Sequence, residues 1–191
     1  MASLKDLHSK ILECTKCPLH QTRTMAVPGA GNSKAELMLV GEAPGANEDA
    51  TGTPFCGKAG KVLDELLAKT GFKREYIYIT NILKCRPPNN RNPKDDEIKT
   101  CTGYLDEQLE LINPRIIGCL GNFATHYILK KFGLATTRQG ISNIHGKVFI
   151  YQSLFKEIKV VPLYHPAVAT YNANMITQIS KDFIKLKDIL H

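Results

Sequence analysis

The chain has 191 residues, 43% of them hydrophobic, and a net charge of +7 from 25 Lys and Arg against 18 Asp and Glu. That length and apolar share suit one domain with a sizeable core, and no stretch approaches the roughly 20 consecutive apolar residues that cross a bilayer. Residues 1–8 lack the apolar run of a secretory signal, so a soluble, cytoplasmic protein is expected, and the basic balance favours a polyanionic partner such as nucleic acid. In chain order, residues 4–13 carry Leu4, Leu7, Ile11 and Leu12 on one helical face. Residues 37–41 (Leu-Met-Leu-Val-Gly) read as a buried strand, and the Gly-, Pro- and acid-rich run 41–54 as a loop. Val62, Leu63, Leu66 and Leu67 give 58–70 a helical period that Gly71 stops. The β-branched and aromatic run 76–83 reads as a strand; the loop 84–93 after it holds three prolines and three asparagines.

Asp95 or Asp96 caps the next helix, which reaches to about residue 112. A strand over 115–120 precedes a helix over 122–132. Residues 147–151 and 158–164 are strand-like, and an amphipathic helix over 175–190 closes the sequence. Alternating strands and helices predict an α/β fold with a mostly parallel sheet covered on both faces. No repeat, low-complexity segment or linker divides it, so residues 1–191 read as a single domain.

Six cysteines stand at positions 14, 17, 56, 85, 101 and 119. A reducing compartment argues against a disulfide framework, and clustered cysteines there point to metal or redox chemistry. Cys14-x-x-Cys17 sets two thiolates within reach of one centre. Cys85, in a loop leaving a strand, and Cys101, one to two turns inside the next helix, form a second pair. Four thiolates suit zinc or an iron–sulfur cluster, and spacing does not choose between them. Cys85 and Cys101 also read as ordinary buried thiols. Cys119 in an apolar strand and Cys56 after Phe55 read as structural.

In open α/β sheets, sites form outside the carboxyl ends of the strands. Three loops at such positions are unusual. The first runs Gly41-Glu42-Ala43-Pro44-Gly45-Ala46-Asn47-Glu48-Asp49 and on to Pro54-Phe55-Cys56-Gly57; the second is Thr80-Asn81-Ile82-Leu83-Lys84-Cys85-Arg86-Pro87-Pro88-Asn89-Asn90-Arg91; the third is Tyr164-His165-Pro166-Ala167-Val168-Ala169. The first has neither the Gly-x-Gly-x-x-Gly pattern nor the Lys-Ser/Thr of a nucleotide loop. On residue type alone, Asn81 also reads as a turn cap, Phe55 as a core residue and His165 as a satisfied histidine.

Together the loops and the cysteines resemble family 4 of the uracil-DNA glycosylases, the iron–sulfur group, over nearly the whole chain. The resemblance implies a three-layer α/β/α sandwich around a central, mostly parallel four-stranded sheet. It implies removal of uracil from double- or single-stranded DNA by hydrolysis of the N-glycosidic bond, leaving an abasic site. It also implies a structural [4Fe–4S] cluster on Cys14, Cys17, Cys85 and Cys101, with no redox step. Asn81 matches the family's uracil-reading amide, Phe55 its stacking ring, and Glu48 a residue crowding the C5 edge. His165 matches a donor to uracil O2, helped by main-chain N–H groups at Glu42–Ala43, and Glu42 a group that positions water or stabilises the sugar cation. Val168 and Tyr171 occupy the place of the residues that fill the gap left by the flipped base, where relatives carry Leu and Arg. Lys58, Lys84, Arg86 and Arg91 are expected to meet phosphates. The expected state is a nucleoid-associated monomer, with a sliding-clamp contact left open. Three rivals compete: a non-catalytic nucleic-acid module with a zinc or iron–sulfur staple, an electron carrier, and a relative that stays covalently attached to DNA. The last usually carries a His in the second loop, which is lacking here.

Overall fold

Short runs rich in apolar, β-branched and aromatic residues become the main strands of one sheet. The computed structural model describes residues 3–134 and 139–190. The strands are β1 (Ala30–Gly31), β2 (Leu37–Gly41), β3 (Tyr78–Asn81), β4 (Ile116–Leu120), β5 (Phe149–Gln152) and β6 (Glu157–Leu163). The helices are α1 (Leu4–Leu12), α2 (Ala46–Thr51), α3 (Lys58–Thr70), α4 (Asp95–Ile112), α5 (Asn122–Lys131), α6 (Ile141–Ile144), α7 (Ala167–Tyr171) and α8 (Met175–Leu190).

The sheet order is β1-β3-β2-β4-β6-β5. Neighbours β3, β2, β4 and β6 run parallel, as expected, but the sheet is wider than the four strands foreseen. Antiparallel β1 and β5 extend its two edges. The strand read at 147–151 is β5, whereas two-residue β1 carries no sequence period at all. Within the run read as a loop, 41–54, lies the short helix α2, started by the Glu48 carboxylate accepting the Gly45 N–H at 3.1 Å.

Successive residues of a strand point to opposite faces. In β2, Met38 and Val40 join one core with Leu7, Ile11, Leu105, Leu109 and Ile128 from α1, α4 and α5. Leu37 and Leu39 join the other with Leu63, Leu66, Leu67, Phe183 and Leu186 from α3 and α8. Burial on both faces explains the unbroken apolar run of β2. The result is the three-layer sandwich implied by the resemblance. Among the described residues, no helix is long and apolar enough to cross a membrane.

Parallel pairing fixes where the loops emerge. Gly41 stands opposite Asn81, and Leu120 opposite Leu163. The four parallel strands therefore finish at one edge, and the three unusual loops leave from it.

Candidate functional site

At the end of β3, Asn81 is only 2% exposed. Its side-chain oxygen Oδ1 is buried and has no hydrogen-bond partner among the described residues. Such an atom is uncommon in a folded protein, where buried polar groups are nearly always paired. Gly41, opposite, lets the amide and the Phe55 ring approach. A methyl group there would collide with Asn81 Oδ1 and lie 2.8 Å from Phe55 Cζ.

Phe55 is held with force. Its φ of 52° lies in the left-handed region, unusual for a bulky residue, at a strain of roughly 1–3 kcal/mol. Arg74 clamps the turn, donating from Nη2 to Phe55 O at 2.6 Å and from Nη1 to Pro54 O at 3.2 Å, with Nε on Asp64. Gly60 lies so close beneath the Phe55 carbonyl that any side chain would strike it. Glu48 braces the same turn from the other side. Its Oε1 accepts the Cys56 and Gly57 N–H groups at 3.0 and 2.9 Å, while Oε2 takes Gly45. Both of its oxygens are thus occupied by main chain.

His165 opens the loop after β6. Its ring packs on Phe55 with centroids 5.5 Å apart, and its Cβ faces Gly121 at the end of β4. Nδ1 accepts the Ala167 N–H at 3.2 Å, which leaves the ring hydrogen on Nε2. Burial pushes its pKa down to about 4, against an opposing pull from Glu48, so the ring is neutral at ordinary pH. Glu42, half-buried beside Gly41, has its carboxyl raised above the usual range by burial. Asn81, Gly41, Phe55, Glu48 and His165 thus form one assembly at the sheet edge; Glu42 and Ala43 adjoin it through Gly41.

Beyond it, Val168 is partly packed against the core, whereas Tyr171, at the end of α7, is 88% exposed. Lys58 is exposed at the start of α3, and Arg86 is partly exposed with Nε on Asn90 Oδ1 at 2.8 Å. Arg91 is engaged by Glu97 through two N–H groups at 2.6 and 2.9 Å, a pair that anchors the second loop to the start of α4. Glu97 is held ionised below its usual range by that pair. One expected phosphate contact is overturned. Lys84 is 1% exposed, and its ammonium donates inward to Thr80 Oγ1, Asn81 O and Gln108 Oε1 at 2.6, 2.7 and 2.7 Å. Three buried acceptors outcompeted water for a side chain that composition assigns to the surface. Burial pushes its pKa down to about 7, with the Cys101 thiol pulling upward.

The cysteines converge as well. Cys14, Cys17, Cys85 and Cys101 line one small cavity, with Ile11, Lys16, His20, Lys84, Thr100 and Tyr104 completing its wall. Arg23 donates from Nη1 to Cys85 Sγ at 3.0 Å, and the Lys84 N–H to Cys101 Sγ at 3.3 Å. Among the described residues, no three Cys, His, Asp or Glu side chains close on a single-ion point. Burial raises the Cys17 and Cys85 thiols and pushes Cys101 up to about 11. Cys119 is fully buried in β4, and Cys56 is exposed; neither reaches the cavity.

Sequence reasoning did not find Arg74, Gly60, Arg23 or Gln108. Arg74, Arg23 and Gln108 act through partners far away in sequence, Gly60 acts on Phe55 five residues before it, and none sits in a motif.

Residues 28–187 match the model of the uracil DNA glycosylase superfamily. The chain is 48% identical over 189 residues to a type-4 uracil-DNA glycosylase of Archaeoglobus fulgidus, covering 99% of this chain and 94% of the relative. It is 46% identical over 190 residues to that of Sulfurisphaera tokodaii, covering 99% and 86%, and 45% identical over 191 residues to that of Saccharolobus solfataricus, covering 100% and 88%. The chain belongs to the uracil DNA glycosylase superfamily and, within it, to the type-4 group.

Proposed function

We propose that this protein is a DNA-repair glycosylase, a single-domain monomer that flips uracil out of DNA and hydrolyses its N-glycosidic bond. The carrying observation is the buried, unpartnered Asn81 Oδ1 beside Phe55 and His165. Uracil presents an N3–H donor next to the O4 acceptor. An amide with Oδ1 toward N3–H and Nδ2 toward O4 meets both. Cytosine, with an acceptor and an amino donor there, opposes both. Flipping costs a few kcal/mol, and stacking on Phe55 returns roughly 1–3 kcal/mol.

Water adds at the sugar C1′ as the bond to N1 breaks, and the electron pair leaves on uracil. Charge collects on O2, where a preorganised donor acts most strongly. The neutral His165 ring supplies its Nε2–H, aided by the main-chain N–H groups at Glu42 and Ala43. The Glu42 carboxylate orients the water and faces the positive charge of the sugar. Glu48 holds the wall that meets the uracil C5 edge, leaving no room for the thymine methyl group. Lys58, Arg86 and the remaining face of Arg91 contact phosphates, and Tyr171, with Val168 behind it, fills the gap in the duplex.

Cys14, Cys17, Cys85 and Cys101 hold a [4Fe–4S] cluster, supported by an all-sulfur donor set around one cavity and two N–H donors to the sulfurs. The cluster staples the N-terminal segment, the second loop and α4 together and supplies no redox chemistry.

The test is incubation with a uracil-containing oligonucleotide, then alkali. Strand cleavage at uracil, and none at cytosine or thymine, is expected; an uncleaved strand overturns the proposal. Protein isolated without air should be yellow-brown with about four irons per chain. Cys101→Ala should lose the colour and Cys119→Ala keep it, whereas stoichiometric zinc in a colourless parent would refute the cluster.

A further inference from the structure

Lys84 touches both halves of the molecule's chemistry. Its side chain reaches back to the main chain of Asn81, while its own N–H reaches the sulfur of Cys101. An ammonium has three hydrogens, and here each has an acceptor, on β3, at the end of β3 and on α4. The acceptors are themselves fixed. Gln108 Nε2 donates to Pro28 O at 2.7 Å and to the Tyr78 hydroxyl at 3.0 Å, and that hydroxyl meets His8 Nε2 at 2.7 Å. Thr80 Oγ1 lies 2.9 Å from Pro28 O. A fully satisfied buried network of this kind is rigid.

We propose that Lys84 is a positioning residue for base recognition: anchored on Thr80 and Gln108, its ammonium fixes the Asn81 main chain, and so the direction of the Asn81 amide. The inference rests on the reading of Asn81 given above. Satisfying one carbonyl does not by itself call for a lysine, since a hydroxyl or amide does so without burying charge. A long donor on the residue next to Cys85 does more. It makes the segment from Asn81 to Cys85 one unit, tied at its far end to the cysteine cavity. The wall that holds the cluster and the wall that reads the base then move together.

The test is Lys84→Met, which keeps the length and removes the donors. Single-turnover excision of uracil from an oligonucleotide at saturating enzyme should fall roughly 10- to 100-fold. DNA affinity, iron content and visible spectrum should stay as in the parent. A double-mutant cycle with Asn81→Ala separates positioning from support of the fold. With Asn81 removed, Lys84→Met has no amide left to misdirect, so its further loss should be small. Equal fold-losses in both backgrounds, or Lys84→Met at the parent rate, overturn the proposal. Should Lys84→Met fail to fold or to retain iron, Thr80→Val removes one acceptor at constant shape. It should show the same non-additivity on a smaller loss, and equal losses there are equally fatal. Asn81→Ala excising at the parent rate would instead sink the reading of Asn81, and this inference with it.

Discussion

Lys84 and Asn81 lie three residues apart in one buried segment, yet their polar groups are treated oppositely. The Lys84 ammonium has every hydrogen matched, within a network running through Thr80, Gln108, Tyr78 and His8. Asn81 Oδ1, equally shut from bulk water, has no partner among the described residues. The contrast separates holding from reading. A polar group that holds a fold is satisfied by the fold, because an unmatched buried atom costs about 1–3 kcal/mol. One that reads a ligand is left for the ligand to match. His165 shows the same division within one ring: Nδ1 is occupied by the Ala167 N–H, and Nε2–H is the group proposed to meet the substrate.

The strongest way to break this comparison is to change what the unmatched atom asks for. Asn81→Asp keeps the shape but replaces the Nδ2 donor with an acceptor facing O4. Uracil excision under single-turnover conditions should fall on the order of 10⁴-fold, since sites built on paired hydrogen bonds reject mismatches at that scale. The iron content should not change. Excision at the parent rate would mean the base is read elsewhere.

His165→Ala is next in size. Loss of one preorganised donor to a developing anion costs on the order of 10²-fold. Its contribution belongs to the transition state, so the single-turnover rate should drop while DNA affinity holds. Weakened affinity with an unchanged rate would make His165 a binding residue only. Smaller again is Gly41→Ala, which fills the space shared by Asn81 Oδ1 and the Phe55 ring. Because both neighbours must shift, excision should fall roughly tenfold through misplacement. A variant as active as the parent would show that the wall yields freely.

The sequence exposes some of this contrast and conceals the rest for definable reasons. α3 runs over Lys58–Thr70 as its apolar spacing and the Gly71 stop foretold. β2 and β4 were legible because burial on both faces makes them continuously apolar, and β3 because it lies in a β-branched and aromatic run. α2 was not, since Ala-Asn-Glu-Asp-Ala-Thr shows no apolar face and owes its start to Glu48. The loop residues Asn81, Phe55 and His165 were picked out by their place at strand ends and by resemblance. Their geometry depends on Arg74, Gly60 and Gly121, which no motif contains. Lys84 was misread because lysine is almost always a surface residue. Its three acceptors come from Thr80, Asn81 and Gln108, and nothing in the spacing announces that α4 brings Gln108 there. The pairing of Arg91 with Glu97, six residues on, was likewise not announced by the spacing.

The smallest expected effect tells the two proposed catalytic groups apart by acid titration. The chemistry needs Glu42 ionised and His165 with a free Nδ1 lone pair for Ala167. Burial raises Glu42 from its ordinary 4.5 and depresses His165 from 6.5 to about 4. As pH falls, Glu42 therefore takes up its proton first and His165 after it. The profile of kcat/KM, which reports the free enzyme, should be flat through the ordinary histidine range and bend downward only on the acid limb of Glu42. Stability follows His165 in the same sense. Its folded pKa lies below the unfolded value, so the unfolded chain binds the extra proton, and stability declines as pH drops from 6.5 toward about 4. Glu42→Gln should move the acid limb down to the His165 value of about 4 at a lowered plateau, whereas His165→Asn should keep the Glu42 limb at a lowered plateau of its own. A limb centred near 6.5 in the parent that vanishes in His165→Asn would mean that His165 titrates at its ordinary value and governs the acid limb, and would overturn the assignment of that limb to Glu42.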